Sequence, residues 1–166
     1  MPPLSPDSEL ARLMARFPRP GTVTWIGLRP SREDAMREAD EVEAVTGKGL
    51  IGDRYAGGSG KRGITLIQGE HLPVIAALAG HAAIAPATLR RNLVVHDIPL
   101  VALKDRRFRI GNVVLQGAGP CDPCSRMEAA LGAGGYNAMR SLGGICVRIV
   151  QGGVIRRGDT VVALEE

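Results

Sequence analysis

The residues from Gly119 to Glu128 hold two of the chain's three cysteines, Cys121 and Cys124, in a Cys-x-x-Cys spacing interrupted by Pro123. An apolar, β-branched run from Val113 to Leu115 comes before them, and a helix-forming run from Ser125 to Leu131 follows. The pair therefore falls where a strand gives way to a helix. A cysteine beside a helix N-terminus faces unpaired N–H groups and the positive end of the macrodipole, both of which favour thiolate over thiol. Thiolates bind soft metals and attack electrophiles.

Several chemistries use such a pair. A structural zinc site needs four ligands, but Cys146 stands alone in a strand pattern, and His71, His81 and His96 are scattered without a partner at ligand spacing. A thioredoxin-like redox motif needs a βαβ frame, which the surrounding pattern does not supply. A reversible disulfide and a hydrolase-type nucleophile with a histidine brought in by folding both stay open. The reading that draws on the most features is a single thiolate that binds a soft metal or carries sulfur, beside basic loops that hold an attached anionic group.

Those loops are identifiable. Gly49 to Tyr55 runs into a stretch, Ala56 to Gly63, with four glycines and the bases Lys61 and Arg62. It lacks the Gly-Lys-Ser/Thr ending and following helix of a phosphate-binding P-loop. Flexible backbone with Arg54, Lys61 and Arg62 suits either an anion site or a plain surface hairpin. Arg90, Arg91 and Asn92 lie at another element boundary, where two planar guanidinium forks and an amide can converge on a phosphate. The formal net charge is +4, yet only five residues are aromatic, so base stacking has little to work with and nucleic acid is not the expected partner. A small phosphorylated or anionic ligand fits the balance better.

The elements that must position these groups read as mainly β. Strand patterns cover Gly21–Leu28, Glu41–Thr46, Ile64–Gln68, Leu93–Val95, Phe108–Gly111, Val113–Gln116, Ile145–Gln151 and Thr160–Leu164. The segment Pro30–Asp40 reads as a loop or a surface helix. Helical patterns fall at Ser8–Phe17, Gly69–Ala79, Ser125–Leu131 and Tyr136–Ser141, with one turn at Ala87–Arg91. About eight short strands with few helices predict a β-barrel rather than a parallel α/β fold. We divide the chain into an N-terminal extension, residues 1–20, with a short helix, and one domain, residues 21–166. Three cysteines without a signal peptide predict a reducing, cytoplasmic setting. The longest apolar stretch, Val74 to Ala79, is far below the roughly 20 residues a membrane span requires.

The motifs taken in order, Gly49 to Arg54, Arg90 to Val95, Arg109 to Gly111, the Cys121 and Cys124 pair, and Gly158 with Asp159, resemble the MOSC domain, the family named for the C-terminal domain of molybdenum cofactor sulfurase. The similarity runs over roughly Gly21 to Leu164 and is to the small stand-alone bacterial members. It implies a MOSC-type β-barrel with a few short helices, binding the molybdenum cofactor, molybdopterin, a pterin dithiolene with a phosphate. It implies Cys124 as the metal ligand and catalytic thiolate, with Arg126 after it and Cys121 as a neighbour that shields it or pairs with it. Arg90, Arg91 and Asn92 would hold the pterin phosphate or polar edge, and Asp53 and Arg54 would line the pocket, unless Asp53 fixes the glycine-rich turn. The implied activity is an oxidoreductase that reduces small N-hydroxylated compounds. Without an iron–sulfur or flavin domain it would need a separate electron-donor protein. The alternative is a sulfur-carrier or cofactor-delivery module, independent of pyridoxal phosphate, with a persulfide on Cys124.

Overall fold

The computed structural model describes residues 2–55 and 60–165. The stretch 56–59, half of the glycine-rich loop considered above, lies outside the described residues. In chain order the strands are β1 (Gly21–Leu28), β2 (Arg37–Ala39), β3 (Glu41–Val45), β4 (Gly49–Leu50), β5 (Ile64–Gln68), β6 (Leu93–His96), β7 (Arg107–Ile110), β8 (Val113–Pro120), β9 (Ile145–Gln151), β10 (Gly153–Arg156) and β11 (Thr160–Ala163). The helices are α1 (Glu9–Met14), α2 (His71–Ala79), α3 (Ser125–Leu131) and α4 (Gly135–Met139).

Strand order β11-β7-β8-β9-β5-β6-β1, with β1 pairing back to β11, closes a seven-stranded barrel. Closure removes the open edges that an extended sheet would expose. Along β1, Gly21 and Thr22 pair with β11, while Ile26 to Leu28 pair with β2. A smaller sheet, β10-β3-β4, stands beside the barrel. The barrel pairings are antiparallel except β5 with β6, which run parallel in register Leu66 to Leu93. A parallel pair requires a crossover. Here it is supplied by α2 and a 3₁₀ turn, Pro86–Leu89.

Side-chain alternation divides the core. Leu66, Leu93 and Val95 point into the barrel with Val23, Ile26, Phe108, Ile110, Leu115, Val147 and Ile149. Ile67 and Val94 point outward and meet Ile75 of α2, Met127 and Leu131 of α3, and Met139 of α4. Each such side chain taken fully from water contributes roughly 1.5–3 kcal/mol. The outer layer therefore fixes α3, the helix that follows the cysteines, onto the β5–β6 wall. Glu128 adds a tie, accepting from the N–H groups of Gly134 and Tyr136 at 2.7 Å each and closing α3 against α4.

The structure differs from the sequence expectation in places where pairing outweighs pattern. Pro30–Asp40 contains β2, because the open half of β1 recruits Arg37–Ala39 despite its charge. β10, which buries only Ile155, forms by pairing with β3. The expected N-terminal helix is present as α1, capped by the Ser8 hydroxyl accepting from Ala11 N–H at 3.1 Å. Its apolar residues Leu10, Leu13 and Met14 nevertheless stay 49%, 54% and 54% exposed, so their helical spacing does not mark a buried face. Among the described residues no helix is long and apolar enough to cross a membrane.

Candidate functional site

A polar network braces one end of the barrel. Arg29, just past the end of β1, grips Asp53 with two guanidinium N–H groups, Nε to Oδ1 at 3.1 Å and Nη2 to Oδ2 at 2.8 Å, and donates its backbone N–H to Oδ1 at 2.8 Å. The Asp53 side chain is fully buried. Burial opposes its ionisation, but the bonds and charge of Arg29, with the amide of Tyr55, hold the carboxyl below its ordinary value. Asn92, also fully buried, completes the brace. Its Nδ2 donates to Gly27 O at 3.1 Å and Asp53 Oδ1 at 3.2 Å, and its Oδ1 accepts from Thr65 N and Oγ1, both at 3.1 Å. One amide thus joins β1, the turn after β4, and β5.

Beside this network lies a cleft of about 450 Å³ lined by Arg29, Arg32, Arg54, Tyr55, Arg62 and Thr65. Arg29 alone of these arginines pairs with a carboxylate among the described residues. Arg90 stands behind it with φ of 57°, a left-handed conformation that costs a side-chain-bearing residue roughly 1–2 kcal/mol. It is held by donating to the carbonyls of Asp34 at 2.8 Å and Ser31 at 3.0 Å. Burial, and then the charges of Arg126, Arg29 and Arg54, push the Arg90 guanidinium below its ordinary value. The four cations repel one another, and an anion between them relieves that repulsion.

Arg91 points the other way. It is buried, and its donors go to backbone carbonyls: Nε to Gly143 at 2.9 Å, Nη1 to Leu89 at 3.0 Å, and Nη2 to Cys121 at 2.8 Å and Asp122 at 3.3 Å. It clamps the cysteine loop to the crossover. Beyond the clamp, Cys124 occupies the N-cap position of α3 with its side chain exposed and making no capping bond. Its thiol lines a second cleft, about 430 Å³, with Lys61, Arg62, Pro120, Asp122, Pro123 and Cys146. Arg62 lines both clefts, so the exposed thiol and the arginine cluster lie on either side of one guanidinium.

Cys121 does not pair with Cys124. All three cysteines are free thiols, and Cys121 and Cys146 are both buried, set diagonally across the β8–β9 ladder. The Cys146 thiol bond, against burial and together with Arg91 and Arg62, brings Cys121 down to about 6. Cys146 is raised, first by that same bond to Cys121 and then by burial. Of the two thiols, Cys121 is the one whose ionisation is favoured.

The expected site residues therefore separate into groups. Cys124 and Arg54 line the clefts, Arg126 follows Cys124 by two residues and acts on Arg90 through its charge, and Cys121 is buried between the cleft-lining residues Pro120 and Asp122. Asp53, Arg91 and Asn92 hold the surrounding loops in place. Arg29, Arg32 and Cys146 did not stand out as site residues in the sequence. Arg29 is one arginine among many there, and its role depends on Asp53, which reaches it only through the fold.

The barrel is shared with solved proteins. The chain matches YuaD from Bacillus subtilis with a TM-score of 0.78 at 18% identity, covering 91% of this chain and 100% of that one. It matches YiiM from Escherichia coli with a TM-score of 0.69 at 18% identity, covering 90% and 71%. YiiM from Geobacillus stearothermophilus gives 0.70 at 16% identity, covering 88% and 76%. No curated protein matches the sequence. Residues 53–162, which run from the Arg29 partner Asp53 through all three cysteines to β11, match the MOSC domain. The chain belongs to the MOSC domain family, a family associated with the molybdenum cofactor.

Proposed function

We propose that the paired clefts bind the molybdenum cofactor, with Cys124 as the protein ligand to the metal, and that the protein reduces small N-hydroxylated compounds with electrons from a separate donor protein. The observation that carries this reading is the position of Arg62 between an exposed cysteine and a cluster of arginines of which Arg32 and Arg54 have no carboxylate partner among the described residues. The donor chemistry fits the group: a soft thiol at one end suits a sulfur-ligated metal, and guanidinium forks at the other suit a phosphate. Among the described residues no three His, Cys, Asp or Glu side chains converge as ligands, so a metal at Cys124 takes its other ligands from a cofactor.

Bound there, the cofactor supplies two-electron redox chemistry at a sulfur-rich metal. The chain's own residues position it. Arg54, Arg62 and Arg126 offset its negative charge, and Arg90 adds to the field from its fixed seat on the carbonyls of Asp34 and Ser31. Arg91 holds the loop that presents Cys124. The test is molybdenum and pterin content after purification from a cofactor-competent host, with reduced-viologen oxidation by a hydroxylamine substrate. Wild type should retain both and turn over, and Cys124→Ser should lose turnover. A wild-type protein with no molybdenum above background overturns the reading.

A further inference from the structure

Cys121 and Cys146 lie 25 positions apart in sequence, and neither is needed for the cofactor reading. The ladder between β8 and β9 brings them together. Gly119 pairs with Cys146 and Pro120 with Ile145, and Cys121, one residue past the end of β8, donates its N–H to Gly144 O at 2.9 Å. Cys121 thus sits diagonally across from Cys146 on the same face of the ladder. The Cys146 thiol also approaches Pro120 O at 3.8 Å. Both residues are nearly buried, at 4% and 5% exposure, yet Cys146 lines the cleft that holds Arg62 and Cys124. The cleft reaches the pair through Cys146.

We propose that Cys121 and Cys146 are a redox-active dithiol at the floor of the cleft, which hydrogen peroxide closes to a disulfide. Cys121 is the sulfur oxidised first. Its anionic form is favoured by the Cys146 thiol, and by the guanidinium groups of Arg91 and Arg62. The thiolate attacks the peroxide O–O bond, forming Cys121 sulfenic acid and releasing hydroxide. The Cys146 thiol then attacks that sulfur, the S–S bond forms, and water leaves with the thiol proton. Two electrons pass from the two thiols to one peroxide. An external dithiol reverses the bond by two exchange steps. A diagonal pair needs a backbone adjustment to reach disulfide geometry, and it falls at Cys121, the first residue past the end of β8. Closing the bond also removes the anionic sulfur facing Arg62, whose charge the sulfurs of Cys146 and Cys121 otherwise stabilise.

The purified full-length chain is treated with hydrogen peroxide, and its titratable thiols are counted before and after. Peptide mapping then locates any crosslink. The expected result is a loss of two of the three thiols, a Cys121–Cys146 crosslink, and full recovery on reduction with dithiothreitol. In Cys146→Ala, dimedone should label Cys121. A Cys121–Cys124 crosslink, or oxidation of Cys124 while Cys121 and Cys146 stay reduced, overturns the pair. A correct crosslink without dimedone labelling of Cys121 overturns the order of attack. The wild-type measurement stands by itself if the variant misfolds, and none of these readouts depends on molybdenum.

Discussion

The guanidinium of Arg91 donates to the backbone carbonyl of Cys121 at 2.8 Å, so a buried cation at the end of the β5–β6 crossover holds the loop on which Cys124 is presented. The same side chain also reaches Leu89, Gly143 and Asp122. Lysine keeps the charge but has no planar fork to spread over several carbonyls. Arg91→Lys should lose about 2–3 kcal/mol, the scale of bonds to a charged donor and of carbonyls left unpaired. Urea unfolding measures the loss. An unchanged midpoint would show that the clamp contributes little.

Asp53→Asn should leave the mostly buried Arg29 without its carboxylate, at a cost of about 3–5 kcal/mol. The pH dependence has a definite sign. The Asp53 carboxyl is held below its ordinary value of 3.8, so its stabilisation is complete above that value and is lost as pH falls through the lower, folded-state value. Wild type should therefore lose stability below about pH 4, and Asp53→Asn should lack that part of the acid limb. Acid titration of the thermal midpoint in both proteins checks this.

Much of this was legible in the chain. The strand before the cysteines and the helix after them appear as β8 and α3, since β-branched residues, Pro123 and the run from Ser125 act over a few residues. Cys124 and Arg54 were readable as candidates for the same local reason. The Arg29 to Asp53 grip was not, because no spacing rule joins residues that only a closed barrel brings together.

Removing the Cys146 thiol should raise the titration midpoint of Cys121, because the hydrogen bond from Cys146 is the largest contribution holding Cys121 near 6. The rate of alkylation by iodoacetamide against pH, followed by mass spectrometry at Cys121, reads this in Cys124→Ser and in Cys124→Ser with Cys146→Ala. Identical profiles would show that Arg91 and Arg62 alone hold the thiolate.

Gly144 supports the same loop. It sits at φ of 90°, and an added Cβ would run into the Leu66 carbonyl of β5. Gly144→Ala combines a left-handed penalty of about 1 kcal/mol with a backbone shift. It should destabilise by more than about 2 kcal/mol. Gly47→Ala, with φ of 78° and open space around the new Cβ, should cost only the conformational part. The difference between the two unfolding midpoints separates collision from conformation.

Arg126→Ala should leave stability within about 0.5 kcal/mol, since no carboxylate among the described residues pairs with that side chain. It should raise the Arg90 guanidinium back toward its ordinary value, as burial and then the Arg126 charge are what lower it. Under the proposed function it should reduce cofactor retention, and more so at high salt, where the remaining arginines are screened. Molybdenum content after purification at two ionic strengths measures the effect.

The sequence by itself determined the local pieces: strands of alternating apolar residues, a strand-to-helix junction carrying Cys121 and Cys124, and a surplus of arginine at turns. Those follow from propensity and periodicity, which act within a few residues. Only the tertiary structure decided that β5 and β6 run parallel, that their crossover delivers Arg91 to Cys121, and that Arg62 stands between the arginine cleft and Cys124. The neighbour of Cys121 was likewise open in the sequence, where Cys124 stands three residues on; the register of β8 against β9 sets Cys146 diagonally across from Cys121 and leaves Cys124 facing the cleft. Register is set by the closure of the whole barrel, and no stretch of local sequence contains it.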